Sequence, residues 1–221
     1  MTVVFVHGNP ETAAIWGPLT AILGRDDVVL LSPPGFGAPL PDGFGATMLE
    51  YRDWLETELE KIGGPIDLVG HDWGGGHVVN AVMHRPELVR SWASDVVGLF
   101  DADYVWHDMA QVWQTPGAGE ELIAAMMGGD LAARTETMAT LGIPADIAAA
   151  IAEHQNDDMG RAILALYRSA AQPAMAEAGR SLERAAAKPG LSLLATEDPY
   201  IGVDDTRRRA AARAGARTEV L

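Results

Sequence analysis

Apolar residues in this chain come in short unbroken runs, and each of the first runs closes on a turn rich in glycine or proline. Thr2–Val6 ends in His7-Gly8-Asn9-Pro10, and Val28–Leu31 ends in Ser32-Pro33-Pro34-Gly35-Phe36-Gly37. Ile66–Val69 leads into Gly70-His71-Asp72-Trp73-Gly74, Val89–Val97 is a further strand-like run, and Leu191–Leu194 and Arg217–Leu221 close the series. Strands that are apolar throughout, rather than alternating, are buried on both faces, as in a parallel sheet. Between them, Thr47–Ile62 has helical spacing, with Leu49, Trp54, Leu55 and Leu59 on one side and acidic residues opposite, until Gly63-Gly64-Pro65 stops it. Gly75–His84, broken by Arg85-Pro86-Glu87, and Asp204–Ala214 read as helices too. This alternation predicts an α/β fold, a mostly parallel sheet with helices on both faces. Right-handed crossovers then gather the loops that follow the strands along one sheet edge, where sites form.

From about Phe100 to Ala187 the pattern becomes helix after helix, dominated by Ala, Met and Leu. The breaks fall at Thr115-Pro116-Gly117, Gly128-Gly129-Asp130, Gly142-Ile143-Pro144 and Gln172-Pro173, and no strand signal appears. The stretch reads as a helical cap at 100–187 inserted into a core domain made of 1–99 and 188–221. There is no internal repeat and no low-complexity linker.

Composition narrows the function classes. A length of 221 residues allows one full core and one sizeable insertion. A formal charge of −15 argues against nucleic acid or an anionic membrane as partner, since both repel an acidic surface. With no cysteine, disulfides, thiolate metal sites and cysteine nucleophiles are excluded. No closely spaced ligand set implies a metal, and Gly74-Gly75-Gly76 is accounted for by the turn it belongs to rather than by a phosphate. No cofactor is therefore expected. No apolar run approaches a membrane span and the first residues already form a strand, so a cytoplasmic enzyme is the expectation. The oligomeric state is not specified.

The sharpest chemical feature is Gly70-His71-Asp72-Trp73-Gly74, a carboxylate at a strand-to-helix turn where such turns present a nucleophile. The flanking glycines permit the sharp bend and close helix packing. At the helix start, free backbone N–H groups and the helix dipole are expected to keep Asp72 ionised. An aspartate there attacks carbon and forms an ester intermediate, rather than carrying out the serine acyl transfer more usual at this turn.

With His7-Gly8-Asn9-Pro10, this motif makes the chain resemble the α/β-hydrolase fold, in the branch with an aspartate nucleophile: haloalkane dehalogenases and epoxide hydrolases. The resemblance covers the whole chain, in the order His-Gly-x-Pro loop, Gly-x-Gly loop, elbow, helical cap and acid-bearing strand end. It implies a hydrolase acting on a small, uncharged organic substrate. Asn9 and Trp73 match the two positions whose side chains donate to a departing halide in dehalogenases, and their backbone N–H groups match the oxyanion hole under either reading. Glu11 stands where dehalogenases more often show a small polar residue, and His-Gly-x-Pro-Glu is a frequent epoxide-hydrolase spelling. The loop is a hybrid, and Asn9 has the alternative use of a turn residue bonded to its own backbone.

The resemblance implies Asp198, after the Leu191–Leu194 strand, as the acid that orients a histidine, with Asp95 near the end of the preceding strand as the alternative. Tyr104, Trp106, Trp113 and Tyr167 are candidates to line a substrate pocket beneath the cap. Tyr167, and less fittingly Tyr104, resemble the cap tyrosines that activate an epoxide oxygen. The family's base histidine lies on the loop after the last strand, and none of His7, His71, His77, His84, His107 or His154 holds that position. The pattern also starts at what corresponds to the third strand of the usual sheet, so against the family it reads as truncated at both ends. Three functions follow: a dehalogenase-like hydrolase first, an epoxide hydrolase second, and a catalytically incomplete ligand-binding scaffold third. Without the base, Asp72 is expected to form an alkyl ester that persists, because its hydrolysis needs an activated water.

Overall fold

The computed structural model describes residues 1–221. Six strands form one sheet: β1 (Thr2–Val6), β2 (Val28–Leu31), β3 (Ile66–Gly70), β4 (Ser91–Ser94), β5 (Gly190–Leu194) and β6 (Ala216–Val220). Their order is β2-β1-β3-β4-β5-β6 and every neighbouring pair is parallel. Outside the insertion, the crossovers carry α1 (Gly17–Leu23), α2 (Met48–Ile62), α3 (Trp73–His84) and α10 (Asp204–Arg213). Between the adjacent strands β4 and β5 lie α4 (Asp108–Gln114), α5 (Ala118–Met127), α6 (Leu131–Thr140), α7 (Ala145–Ala152), α8 (Asp157–Ser169), α9 (Ala174–Ala178) and a 3-10 stretch, Gly179–Ala187. This is the α/β-hydrolase architecture expected from the sequence, with a helical insertion after the fourth strand. The last part of that insertion, Gly179–Ala187, packs on α3 in the layer covering the sheet.

Local boundaries have local causes. Thr47 starts α2 with a capping box: its side chain accepts from the Glu50 N–H while the Glu50 carboxylate accepts from the Thr47 N–H at 3.1 Å. The strand expected over Val89–Val97 is confined to Ser91–Ser94, because the Ser94 hydroxyl takes the Val96 N–H at 3.1 Å and a 3-10 turn, Val97–Phe100, follows. Likewise α3 begins at Trp73, immediately after Asp72, rather than at Gly75. The helical segment Ala13–Leu23 has readable signals that the run pattern hides: Thr12 at its N-cap, Pro18 in the first turn of α1, and Gly24 in the left-handed region at φ 55°.

The sheet has two unlike faces. Ile66, Leu68, Trp92, Ser94 and Leu194 are buried on the face covered by α2, α3 and the Gly179–Ala187 stretch. On the other face Trp16 packs its ring 4.8 Å from that of Phe5, while Asp67, Val69, Ser91, Ala93 and Leu191 are half-buried and line a shallow hollow of about 220 Å³. The core is continuous between sheet and insertion, running from Val4, Leu68 and Trp92 to Trp106, Ile163 and Leu166. Helix α8 buries Met159, Ala162, Ile163, Leu166 and Tyr167 along one side, and each large side chain contributes roughly 1.5–3 kcal/mol. A smaller cluster of Met138, Ile147, Ala148 and Ile151 fastens α6 and α7 together, with Ala14 packed against it. No helix is long and apolar enough to cross a membrane.

Candidate active site

Strand register assembles the site. Val6 pairs with Gly70 and Gly70 with Ser94, so β1, β3 and β4 end at one level of the sheet. The residues that follow, His7–Asn9, His71–Trp73 and Asp95, therefore meet along that edge. The elbow demands its glycines: a Cβ on Gly70 would stand 2.4 Å from the Gly74 carbonyl oxygen, and one on Gly74 would stand 2.1 Å from that of Val6. Asp72 itself sits at φ 50°, ψ −132°, a conformation that costs an L-residue of order 1–3 kcal/mol and persists because its surroundings enforce it.

Gly8 lies directly beneath the Asp72 carboxylate, where a Cβ would come within 2.2 Å of Oδ1. The same Oδ1 accepts the backbone N–H of Asn9 at 2.9 Å. These contacts hold the carboxyl group still, but they do not keep it fully ionised as the helix-terminus argument predicts. Burial and the neighbouring Glu11 carboxylate push the Asp72 pKa up to about 7, outweighing the His71 charge and the N–H groups of Asn9 and Trp73. Near neutral pH the group is poised between its two forms.

Behind the elbow lies a cluster not anticipated from the sequence. His71 Nδ1 is hydrogen-bonded to Asp95 Oδ2, and its Nε2 is 3.3 Å from Glu11 Oε1. Asp95 Oδ1 accepts the backbone N–H of Asp72 at 3.1 Å, and Glu11 Oε2 accepts that of Gly8 at 3.1 Å. Burial draws the His71 pKa down, but the two carboxylates outweigh it and hold it well above the ordinary value. The only sequence signal was the glutamate of His-Gly-x-Pro-Glu; its partners lie far along the chain.

Above the elbow, Asn9, Trp73 and Tyr167 converge. Both amide atoms of Asn9 are buried without a hydrogen-bond partner, so Asn9 is not spent on its own turn. The Tyr167 hydroxyl lies where the Trp73 indole and the Asn9 side chain both act on it. Burial, then the Asp72 charge, raise its pKa well above the ordinary phenol value despite those two groups, so it stays protonated and able to donate. The rings interlock: Trp73 stacks on Trp106 at 5.7 Å, meets Tyr167 edge-on at 5.5 Å, and Tyr167 lies 4.6 Å from Trp113.

The other candidates sit further out. Tyr104 donates its hydroxyl to the Tyr200 carbonyl at 2.9 Å, and Trp106 donates its indole N–H to the Ala170 carbonyl. The indole N–H of Trp113 is buried with no partner. Asp198 is half-buried, accepts the Tyr200 N–H at 2.8 Å, and its charge bears on Tyr104 and His107. Asp95, the alternative acid, instead touches the elbow itself. His107 accepts the Ala110 N–H through Nδ1 and so caps α4, which places its proton on Nε2. His7 and His77 are buried, with His77 stacked on Tyr51, and His84 pairs with Glu56 at 2.8 Å. No group of three His, Asp or Glu side chains is arranged to hold a metal ion.

Comparison with known proteins follows the same lines. The model of the alpha/beta hydrolase family matches residues 3–221. An epoxide hydrolase of Caballeronia sordidicola is 33% identical over 102 residues, covering 40% of this chain and 29% of that protein. A haloalkane dehalogenase of Mesorhizobium japonicum is 27% identical over 135 residues, covering 55% of this chain and 42% of that protein. Each match thus spans less than half of the relative's own length. Among solved structures, a loop variant of a haloalkane dehalogenase from Bradyrhizobium elkanii superposes with a TM-score of 0.73 at 22% identity, over 100% of this chain and 81% of that one.

Proposed function

Since the chain belongs to the alpha/beta hydrolase family, we propose that it is a hydrolase in which the Asp72 carboxylate attacks carbon in a small, uncharged organic substrate. The reading we favour is dehalogenase-like. A carboxylate oxygen of Asp72 displaces halide from an sp³ carbon, the C–O bond of an alkyl ester forms, and the halide leaves with the bonding pair. The observation that supports it is that the Asn9 amide, buried without a geometric hydrogen bond, and the Trp73 indole both reach the Tyr167 hydroxyl, which stands within the field of Asp72. Donors oriented in an apolar chamber stabilise the charge that grows on the departing atom, and losing one costs about 3 kcal/mol, roughly a hundredfold in rate.

A second reading rests on Tyr167. Its protonated hydroxyl stands within the field of Asp72, which suits donation to an epoxide oxygen as the ring opens, and the epoxide hydrolase relative points the same way. Under either reading Asp198 or Asp95 would be the acid that orients a base. Hydrolysis of the ester needs a base with a free lone pair. His71 has both nitrogens engaged, His107 accepts the Ala110 N–H through Nδ1, and His7, whose Nε2 is unpartnered, is sealed in the core away from solvent. The 221-residue polypeptide is therefore expected to stop at the ester.

Incubation with 1-bromobutane, followed by intact mass and peptide mapping, tests the core of this proposal. One butyl group on the Asp72 peptide, with one bromide released per chain, is the expected result. An unmodified Asp72 peptide at pH 8.5 would overturn it. Asn9→Ala and Tyr167→Phe separate the readings: a hundredfold slower bromide release in the first with epoxide alkylation spared favours the dehalogenase, and the reverse favours the epoxide hydrolase.

A further inference from the structure

We infer that Glu11, His71 and Asp95 form a clamp that positions Asp72 and sets the pH at which it becomes an attacking group, with His71 as its charged centre. The inference rests on the reading of Asp72 as the nucleophile.

The geometry is that of a divided pair of carboxylates. Each gives one oxygen to His71 and the other to a backbone N–H next to the nucleophile: Asp95 to the N–H of Asp72 at 3.1 Å, and Glu11 to that of Gly8 at 3.1 Å. Gly8 is the residue on which the Asp72 carboxyl rests, and its neighbour Asn9 donates to Asp72 Oδ1. Three segments distant in sequence, the loop after β1, the elbow and the end of β4, are thereby tied to one ring. A neutral imidazole would turn a lone pair toward one of the two carboxylates, so the arrangement favours a ring protonated on both nitrogens. His71 is then a positioning residue without basic character.

The trio carries one net negative charge, and that surplus lies beside Asp72. The other titratable groups acting on Asp72 come from the insertion: Tyr104 before α4 and Tyr167 on α8, both held protonated by burial. Across the neutral range only the clamp therefore contributes full charges. Glu11 opposes ionisation of Asp72 and His71 favours it. Removing one or the other should move the titration of Asp72 in opposite directions, which loss of packing alone does not do.

The test uses the whole chain with Glu11→Gln and His71→Gln. Two readouts are taken: the pH dependence of butyl-ester formation from 1-bromobutane, and the carboxyl ¹³C resonance of Asp72, assigned with Asp72→Asn. Glu11→Gln should lower the Asp72 midpoint, and His71→Gln should raise it, each by about one pH unit, a tenfold change in ionised fraction at the acidic end. Midpoints unmoved, or both moved the same way, would overturn the clamp. If the resonance shifts as expected but no protein is alkylated, the nucleophile reading fails and the clamp stands. If alkylation proceeds with fixed midpoints, the clamp fails and the nucleophile reading stands. Should His71→Gln not fold, Glu11→Gln decides alone: a lowered midpoint at unchanged melting temperature supports the clamp, and an unchanged midpoint refutes it.

Discussion

Gly8→Ala adds one methyl group, and the structure says where that group must go. Gly8 has no positive φ, so alanine fits its backbone without strain. The new methyl would stand 2.2 Å from Asp72 Oδ1, 2.4 Å from its Cβ and 2.6 Å from its Cγ. Ordinary contact between such atoms is about 3.5 Å, so the carboxyl group has to retreat by about 1 Å. Two effects follow. Overpacking costs about 1–3 kcal/mol of stability, and the Asn9 N–H···Oδ1 bond, charge-assisted when Asp72 is ionised, stretches or breaks. Misplacing an attacking atom by about 1 Å costs about a hundredfold in rate. The assay is the single-turnover rate of ester formation with 1-bromobutane by intact mass at pH 8.5, where Asp72 is ionised in parent and variant alike. Gly17→Ala, whose Cβ meets nothing within 4 Å, serves as the control and should react like the parent. If Gly8→Ala forms the ester within twofold of the parent rate at an unchanged melting temperature, the carboxylate does not rest on Gly8, and the account of how the elbow aims it is wrong.

Two further outcomes concern stability and pH. The folded-state pKa of Asp72, about 7, lies above its unfolded value, so its contribution is fully present below about pH 4 and is lost as pH rises toward 7, by about 1.4 kcal/mol per unit. Asp72→Asn is accordingly expected to melt progressively higher than the parent between pH 4 and 7, with a constant gap above that; a gap that narrows with rising pH would contradict the carboxylate held half-buried beside Glu11. Arg209 donates to the buried Asp101 at 2.8 Å and holds its pKa below the usual carboxylate range. Arg209→Met should therefore destabilise the fold at neutral pH, measured by urea unfolding, by leaving the buried Asp101 carboxylate without its partner, and the loss should shrink as acid protonates Asp101. Arg161→Met, which breaks only the exposed pair with Asp158, should cost less than about 0.5 kcal/mol.

The fold was legible because its signals are local and repeated. β1 and β3 are largely apolar runs, and Gly70 answers to the nearby Gly74 carbonyl, although Gly74 answers to Val6 across the sheet. The end of β4 at Ser94 was not legible, since an apolar run does not reveal that the Ser94 hydroxyl takes the Val96 N–H, and the contacts of Asp95 just beyond it reach a distant loop. The electrostatic state of Asp72 is not legible in the sequence for a similar reason. The helix terminus is visible in sequence, whereas burial and the approach of Glu11 arise only when the loop after β1 is laid beside the elbow. Asn9 illustrates the converse: the sequence offers two uses for it, and in the folded chain its amide is not bonded to its own backbone. The placing of Tyr167 beside Asn9 and Trp73 depends on the path of the insertion over the sheet edge, which no short motif encodes.

The interleaved rings of Trp73, Trp106, Trp113 and Tyr167 bear on how such a molecule diversifies. One of the four belongs to the turn that presents the carboxylate, so the overlying helices are not a cassette to be exchanged freely by recombination. A chimaera that takes α4 to α8 from another lineage inherits a mismatch at Trp73 unless that lineage's indole neighbours come with it.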